Sequence, residues 1–466
     1  MNAISIARNR FGLGGRPDDP APGDPQRWLL DQLARYDAEA IAWSAQPRTG
    51  ELLGDYARQQ LMVRDAPQPQ KAPLRQMLQR HARDVDLAAV GARATAALDT
   101  PAPFAERLVH FWANHFAVSV DKATVLGLAG AFELEAIRPH VLGRFEDMLL
   151  AVTRHPAMLL YLDQANSIGP DSPAAQRSAR RPDAPQRGLN ENLAREILEL
   201  HTLGVRSGYT QDDVTEFARA LTGWGIARPA QAQPAAVSAA MPAAGSSLGF
   251  EYHPALHQPG PRSIVGRRYD DGGERQARAV LHDLATAPAT ARHIAFKLAR
   301  HFVADEPPAP VVQRLAAAFE RSDGDLPTVY RALVQSPEAW HMAEPKFKAP
   351  WDWAVSALRA LGRREVAPMQ IAGLMNQLGQ PVWRPGSPAG YDDVGATWAA
   401  PDALLRRVEV AQRVAAQAGD RIDARALAPQ LLPGTLSEAT ATAIARAESP
   451  ASALALLLVS PEFLRR

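Results

Sequence analysis

Apolar residues recur at three- and four-residue spacing along most of the chain, which is the period of amphipathic α-helices. This spacing predicts helices over residues 28–36, 104–116, 145–153, 192–203, 214–224, 290–302, 311–320, 326–334, 351–361 and 404–416. Strand-like alternation is scarce, and only residues 250–269, rich in Gly, Pro and β-branched side chains, are expected to form a small hairpin. The pattern therefore predicts an all-α fold, an irregular multi-helix bundle with a minor β-hairpin element.

Two segments interrupt the helical pattern. Residues 167–188 are rich in Ser, Pro and Arg, and residues 227–248 form an Ala/Pro/Ser tract with almost no charge, so both are expected to be exposed loops. The second tract divides an N-terminal helical region, residues 1–226, from a C-terminal helical region with the small β element, residues 249–466. We expect the two regions to form one continuous body.

The composition fits a globular protein and excludes several kinds of chemistry. Apolar residues make up 46% of the chain and charged residues 22%, so a sizeable core can form. The 51 basic and 50 acidic residues nearly cancel, so no field favours nucleic acid as a partner. Because the chain has no cysteine, disulfides, thiolate nucleophiles and cysteine-bound metal centres are excluded.

The beginning of the chain lacks the features of a secretory signal. Arg8 and Arg10 interrupt its few apolar residues, and no apolar run approaches the ~20 residues that a membrane-spanning helix needs. The sequence as it stands therefore predicts a cytoplasmic protein without a membrane span.

The predicted helix over residues 192–203 separates polar from apolar side chains. At 100° per residue, one face is apolar, and the opposite face carries Asn192, Arg195, Glu196 and Glu199. This polar face is either a solvated surface with an Arg195–Glu199 pair or the wall of a cleft. In a cleft, Glu196 and Glu199 would act as general acid and base or would bind a divalent metal ion.

Two histidines fall on apolar helix faces. His115 lies among the apolar residues of the predicted helix 104–116, whose polar side carries His110 and Asn114, and His201 lies on the apolar face of 192–203. Both are either neutral core histidines or partners that meet across the core and share a metal ion or a carboxylate such as Asp163.

Three further polar residues are candidate binding groups. Tyr209 directly precedes a helix N-cap at Thr210, and Asn190 precedes the polar helix 192–203. His257 lies in a loop rich in Gly and Pro, and loops often carry functional side chains.

Several motifs resemble those of a large bacterial family, the proteins with domain of unknown function 1800 (DUF1800). In chain order, they are Phe-Trp-Ala-Asn-His-Phe (111–116), Tyr-Leu-Asp (161–163), the segment 190–204, Gly-Tyr-Thr-Gln-Asp-Asp-Val (208–214), Leu-Thr-Gly-Trp (221–224), Lys-Leu-Ala-Arg-His-Phe (297–302) and Ser-Pro-Ala-Gly-Tyr (387–391). The chain departs from the family pattern at His257-Gln258, where the family usually has His-Asp. The resemblance implies that export is common and that the product of an adjacent sulfatase-like gene is a partner.

These observations lead to two hypotheses. The first is an enzyme that hydrolyses or modifies a polymer or peptide, with Glu196, Glu199, His110 and His201 as acid–base groups and a divalent metal ion as the expected cofactor. Its expected binding residues are Asn114, His115, Asp163, Asn190, Asn192, Arg195, Tyr209 and His257. The second is a non-catalytic binding or assembly protein that acts with a neighbouring gene product.

Overall fold

The computed structural model describes residues 3–180, 188–227, 249–341 and 345–466. Its α-helices are α1 Ala3–Ile6, α2 Pro25–Arg35, α3 Thr49–Asp65, α4 Gln68–Asp99, α5 Pro103–His115, α6 Ala129–Phe132, α7 Phe145–Arg154, α8 Pro156–Tyr161, α9 Pro173–Ala179, α10 Asn192–Glu196 and α11 Gln211–Leu221. They continue with α12 Glu274–Thr286, α13 Pro288–Phe302, α14 Ala309–Arg321, α15 Leu326–Val334, α16 Pro350–Ala360, α17 Pro368–Gln377, α18 Gly395–Trp398, α19 Pro401–Ala418, α20 Ala424–Leu431, α21 Glu438–Ala445 and α22 Pro450–Leu458. The predicted all-α fold is confirmed.

Three π-helical turns extend or continue these helices, at Ala7–Phe11, Glu133–Ile137 and Ile197–His201. Each carries charged or imidazole side chains into the interior, among them Arg10, Glu133 and His201. A π-turn has a wider hydrogen-bond ring than an α-turn and often marks a functional region. The predicted helix 192–203 is therefore an α-helix only as far as Glu196.

The β structure is confined to two short antiparallel pairs among the described residues. Strand β1 (Trp224–Ile226) pairs with β2 (Phe250–Tyr252), and β3 (Arg262–Ile264) pairs with β4 (Arg267–Tyr269). The second pair confirms the expected hairpin. The prediction of a helix over residues 214–224 was wrong at its C-terminal end, because α11 stops at Leu221 and the chain then enters strand β1.

The other predicted helices are present with ends shifted by at most three residues, whereas twelve of the described α-helices, among them α3, α4, α9 and α12, were not predicted. The longest, α4 with 32 residues, begins with an exposed half of weak apolar periodicity and ends buried on every side. Helix α9 lies inside the expected loop 167–188, part of which, 181–187, falls outside the described residues, as do residues 228–248 of the Ala/Pro tract. The division into regions 1–226 and 249–466 stays a prediction.

The centre of the molecule is α5, which is buried around almost its whole circumference. Its Glu106 is 1% exposed and accepts two hydrogen bonds from Arg138, at 2.8 and 2.9 Å. Its Arg107 donates to Asp352 of α16 at 3.0 Å. Paired in this way, ionised side chains can occupy the interior. None of the helices in the described part of the chain is long and apolar enough to cross a bilayer.

Candidate functional site

A cavity of about 260 Å³ lies between α5, α13, the start of α16 and the loop that follows α17. Its polar and aromatic lining includes Arg93, His110, Asn114, His115, Lys297, Arg300, His301, Trp351, Asp352, Trp383, Tyr391, Asp392 and Asp393. The volume suits a small molecule or one terminal group of a larger one, since pockets for drug-sized ligands measure about 300–1,000 Å³.

Helix α5 contributes His110, Asn114 and His115 to the cavity wall. Nδ1 of His110 accepts a hydrogen bond from Trp351 Nε1 at 3.1 Å, which places the imidazole proton on Nε2. Burial, with Arg93 and Arg138 nearby, lowers the pKa of His110 well below its usual value. His110 is therefore a neutral imidazole whose acceptor nitrogen is already occupied.

Asn114 holds the loop that closes the cavity. Its side-chain nitrogen donates to the Tyr391 carbonyl oxygen at 2.9 Å, and its side-chain oxygen accepts from the Tyr391 amide at 2.7 Å. Gly390 approaches Asn114 so closely that a Cβ atom would lie 2.3 Å from the Asn114 carbonyl oxygen, and its φ is +81°. Only glycine fits this position, so Asn114 serves to place Tyr391 on the cavity wall.

Arg93 reaches the cavity from α4 as a clamped cation. Its Nε donates to Glu133 at 2.8 Å, and Trp383 Nε1 donates to the same carboxylate oxygen at 3.0 Å. The guanidinium carbon lies 4.4 Å from the Trp351 ring centroid and 5.8 Å from that of Trp383. Its two terminal nitrogens have no hydrogen-bond partner among the described residues.

Helix α13 places His293, Lys297 and His301 on one face at four-residue spacing. Lys297 lines the cavity, and within the described chain its ammonium group has no hydrogen bond and no carboxylate within 4.0 Å. Burial lowers the pKa of Lys297 to about 8, a shift that Asp393 opposes only in part. Near neutral pH the amine is thus a cation in the cavity lining without a hydrogen bond or ion pair in the described chain.

Two carboxylates of the cavity lining, Asp352 and Asp393, in contrast each have several charged or imidazole partners. Asp393 lies 2.8 Å from His301 Nδ1 and 3.2 Å from Lys346 Nζ. Asp352 lies 3.0 Å from Arg107 and 3.2 Å from Arg466. Burial alone would raise the pKa of Asp393, but His301, Lys346 and Arg466 hold it well below its usual value. These carboxylates are ionised and already neutralised.

The site lies within a match to one protein family. The profile described as "Protein of unknown function (DUF1800)" matches residues 6–465. The chain belongs to the DUF1800 family. No curated protein and no solved structure matches it significantly. Family membership confirms the resemblance and leaves the reaction to be inferred from the site.

In this DUF1800 protein, the two predicted core histidines do meet. Their ring centroids lie 6.1 Å apart, and His115 Nε2 lies 3.2 Å from the His201 carbonyl oxygen. His293 Nε2 similarly lies 3.0 Å from the Leu200 carbonyl oxygen. The two imidazoles from α5 and α13 thus donate to carbonyls at the end of the π-turn Ile197–His201, where intrahelical donors run out. His201 itself lies beneath the cavity wall and is fully buried.

The predicted polar stripe of α10 lies elsewhere. Arg195 pairs with Glu191 at 3.0 Å rather than with Glu199. Glu196 is partly buried, and burial followed by repulsion from Glu199 raises its pKa. Burial and the Glu199 carboxylate likewise raise the pKa of the neighbouring Tyr209. None of these side chains lines the cavity, so their catalytic and binding roles stay predictions.

The remaining predicted binding residues are also separate from the cavity. Asp163 pairs with Lys122 at 2.6 Å, and the Asn190 side chain accepts from the amide of exposed Asn192 at 2.9 Å. His257 Nδ1 lies 2.8 Å from the Thr222 carbonyl oxygen. At the departure from the family pattern, Gln258 donates to Asp171 at 2.8 Å.

The expected metal site has no ready candidate in the described ranges. No group of three or more His, Asp or Glu side chains there could hold a metal ion. His115 and His201 approach each other, but Asp163 is bound to Lys122, so the proposed sharing of that carboxylate is not seen.

Sequence reasoning missed Arg93, Lys297, His301 and Asp393. The four-residue spacing of His293, Lys297 and His301 on a predicted helix was a usable signal, because it places all three on one face. Arg93 and Asp393 carried no local signal, since each reaches the cavity from a distant part of the chain.

Proposed function

We propose that this protein is an enzyme that binds a small anionic substrate, or the anionic end of a peptide or polymer, in the cavity between α5 and α13. Lys297 carries the proposal, because it is a cavity-facing cation without an ion pair in the described chain. A carboxylate or phosphate group would provide the missing counter-charge.

Arg93 lines the same cavity and would supply a second contact for a bound anion. Its position is fixed by Glu133 and by the rings of Trp351 and Trp383, while its terminal nitrogens are uncommitted among the described residues. A planar guanidinium held in this way can bind a carboxylate through two hydrogen bonds without losing further side-chain entropy. The aromatic rings beside it would pack against the substrate's apolar part.

Acid–base chemistry would come from the amine of Lys297 and the neutral imidazoles around it. Nδ1 of His115 has no partner in the described chain, because Nε2 makes the bond to the His201 carbonyl. His115 and Lys297 line the same cavity, where an unprotonated imidazole nitrogen and an amine of lowered pKa would serve as proton acceptor and proton donor. The proposed roles of Glu196 and Glu199 would then concern the approach to the site or a separate surface.

The binding of malonate and inorganic phosphate by calorimetry at pH 7 tests this proposal. Lys297→Met should weaken binding about tenfold or more, because a hydrogen bond to a charged group contributes about 1.5–3 kcal/mol. Lys71→Met, which removes a partly exposed lysine of α4, is the matched control and should bind normally. Wild-type affinity should fall above pH 8 as Lys297 loses its proton. No binding by the wild type, or equal binding by the two variants, would overturn the proposal.

The alternative, a non-catalytic binding or assembly protein, is favoured by one observation. Tyr56, which is more than half exposed, lines a groove between α3 and α4 together with Leu52, Leu53, Val63 and Leu78, and apolar surface grooves often mark protein contacts. Proton NMR of anions that bind distinguishes the two hypotheses. An enzyme converts at least one of them in a Lys297-dependent manner, whereas a binding protein returns them unchanged.

A further inference from the structure

We propose that the amine of Lys297 forms an imine with a small aldehyde or ketone that carries a carboxylate or phosphate group. This inference rests on the proposed function, because it uses the same cavity and the same anion contacts. It adds the class of reaction and the nucleophile.

The use of lysine at this position is unusual for this chain. The sequence contains 46 arginines and only five lysines. An arginine would supply charge equally well, but a guanidinium does not lose its proton and cannot act as a nucleophile. A lysine in a cavity wall of such an arginine-rich protein therefore points to a function that needs a free amine.

The other two interior lysines, in contrast, have amines with structural partners. Lys346 lies 2.8 Å from the Arg300 carbonyl and 2.9 Å from Asp305. Lys348 lies 3.1 Å from the Asn9 side-chain oxygen and 4.5 Å from the Phe463 ring centroid. Both have structural partners and neither lines the cavity, whereas Lys297 lines it and has no hydrogen bond or ion pair in the described chain.

The surroundings increase the share of the Lys297 amine that is neutral near physiological pH. Burial lowers its pKa to about 8, and its positive charge in turn helps to keep the nearby imidazoles of His115 and His293 unprotonated. A desolvated lysine amine of lowered pKa is the usual nucleophile in imine chemistry. Arg93 would hold the anionic end of the carbonyl compound and so orient it.

The reaction balances without an oxidant or reductant. The nitrogen lone pair attacks the carbonyl carbon, and the amine proton passes to the carbonyl oxygen, giving a carbinolamine. The bond from that carbon to the hydroxyl oxygen then breaks, the oxygen leaves as water after accepting a proton, and the nitrogen loses its second proton as the imine forms.

Reductive trapping tests the inference on the whole wild-type protein. Glyoxylate, the smallest aldehyde with a carboxylate, is added with cyanoborohydride, and the carboxymethylated lysines are located by peptide mass spectrometry. Lys297 should be labelled on the order of tenfold faster than Lys71, and the rate should rise with a midpoint near pH 8. Lys297→Arg, which keeps the positive charge, should lose this adduct while circular dichroism reports an unchanged fold.

The outcomes separate this inference from the proposed function. If malonate binds in a Lys297-dependent manner but glyoxylate labels Lys297 no faster than Lys71, imine formation is overturned and anion binding stands. If neutral glycolaldehyde labels Lys297 as fast as glyoxylate does, the amine is a nucleophile but the requirement for an anionic substrate is overturned. Fast labelling by glyoxylate alone supports both.

Discussion

The buried side of α5 and the polar stripe of α10 carry the same kinds of residue in different environments. On α5, Glu106 and its partner Arg138 are at most 1% exposed and joined by two hydrogen bonds. On α10, Arg195 is 39% exposed and its partner Glu191 is 29% exposed. Both look like the polar face of an amphipathic helix in the sequence. The two faces differ in whether other parts of the chain cover them. This coverage determines how much each charged side chain contributes to the free energy of unfolding.

The largest expected effect comes from removing one partner of the covered pair. Arg138→Met should destabilise the protein by about 3–5 kcal/mol, because Glu106 would remain buried without its counter-charge. Arg195→Met, the matched change on α10, should alter stability by less than about 0.5 kcal/mol, because exposed ion pairs contribute little. Urea unfolding followed by circular dichroism measures both. Similar losses in the two variants would show that coverage does not distinguish the two faces.

His115 and His201, which lie where α5 meets the π-turn after α10, should give effects of intermediate size. His115→Leu should cost about 1–3 kcal/mol at pH 7, because it leaves the buried His201 carbonyl without its donor. His201→Leu should cost little, because neither ring nitrogen of His201 has a partner in the described chain and its carbonyl remains. The reverse order of costs would mean that the His201 ring, not its backbone, is the group being held.

The stability of the wild type and of His201→Leu should depend differently on pH. Burial lowers the pKa of His201 from 6.5 to about 3, so the folded state binds fewer protons than the unfolded state between these values. The wild type should therefore lose stability as the pH falls from 6.5 towards 3, and His201→Leu should lose less of it. Equal acid sensitivity in the two proteins would contradict a neutral, buried His201.

The contrast also shows how far the sequence could lead. Periodicity predicted α5 and α13 and the burial of His115 and His201, because these depend on spacing within one helix. It did not predict the π-turn Ile197–His201, since a 100° helical wheel assumes an α-helix throughout. The partners from distant segments, such as Glu133 for Arg93, depend on tertiary packing that no local pattern specifies.

The smallest expected effect concerns Glu196 and tests the stripe most directly. Glu196→Gln should change stability by less than about 0.5 kcal/mol at pH 7, as is usual for sites outside the core. Because the pKa of Glu196 is raised, its charged form is the disfavoured one, so the variant should gain stability relative to the wild type as the pH rises above 4.5.

Malonate binding and glyoxylate labelling should be unaffected in this variant and in Glu199→Gln, since neither side chain lines the cavity. If either variant loses malonate binding or glyoxylate labelling while its fold stays intact, the α10 stripe belongs to the same site as Lys297. The acid–base roles predicted for Glu196 and Glu199 would then be supported, and the cavity residues alone would not account for the function.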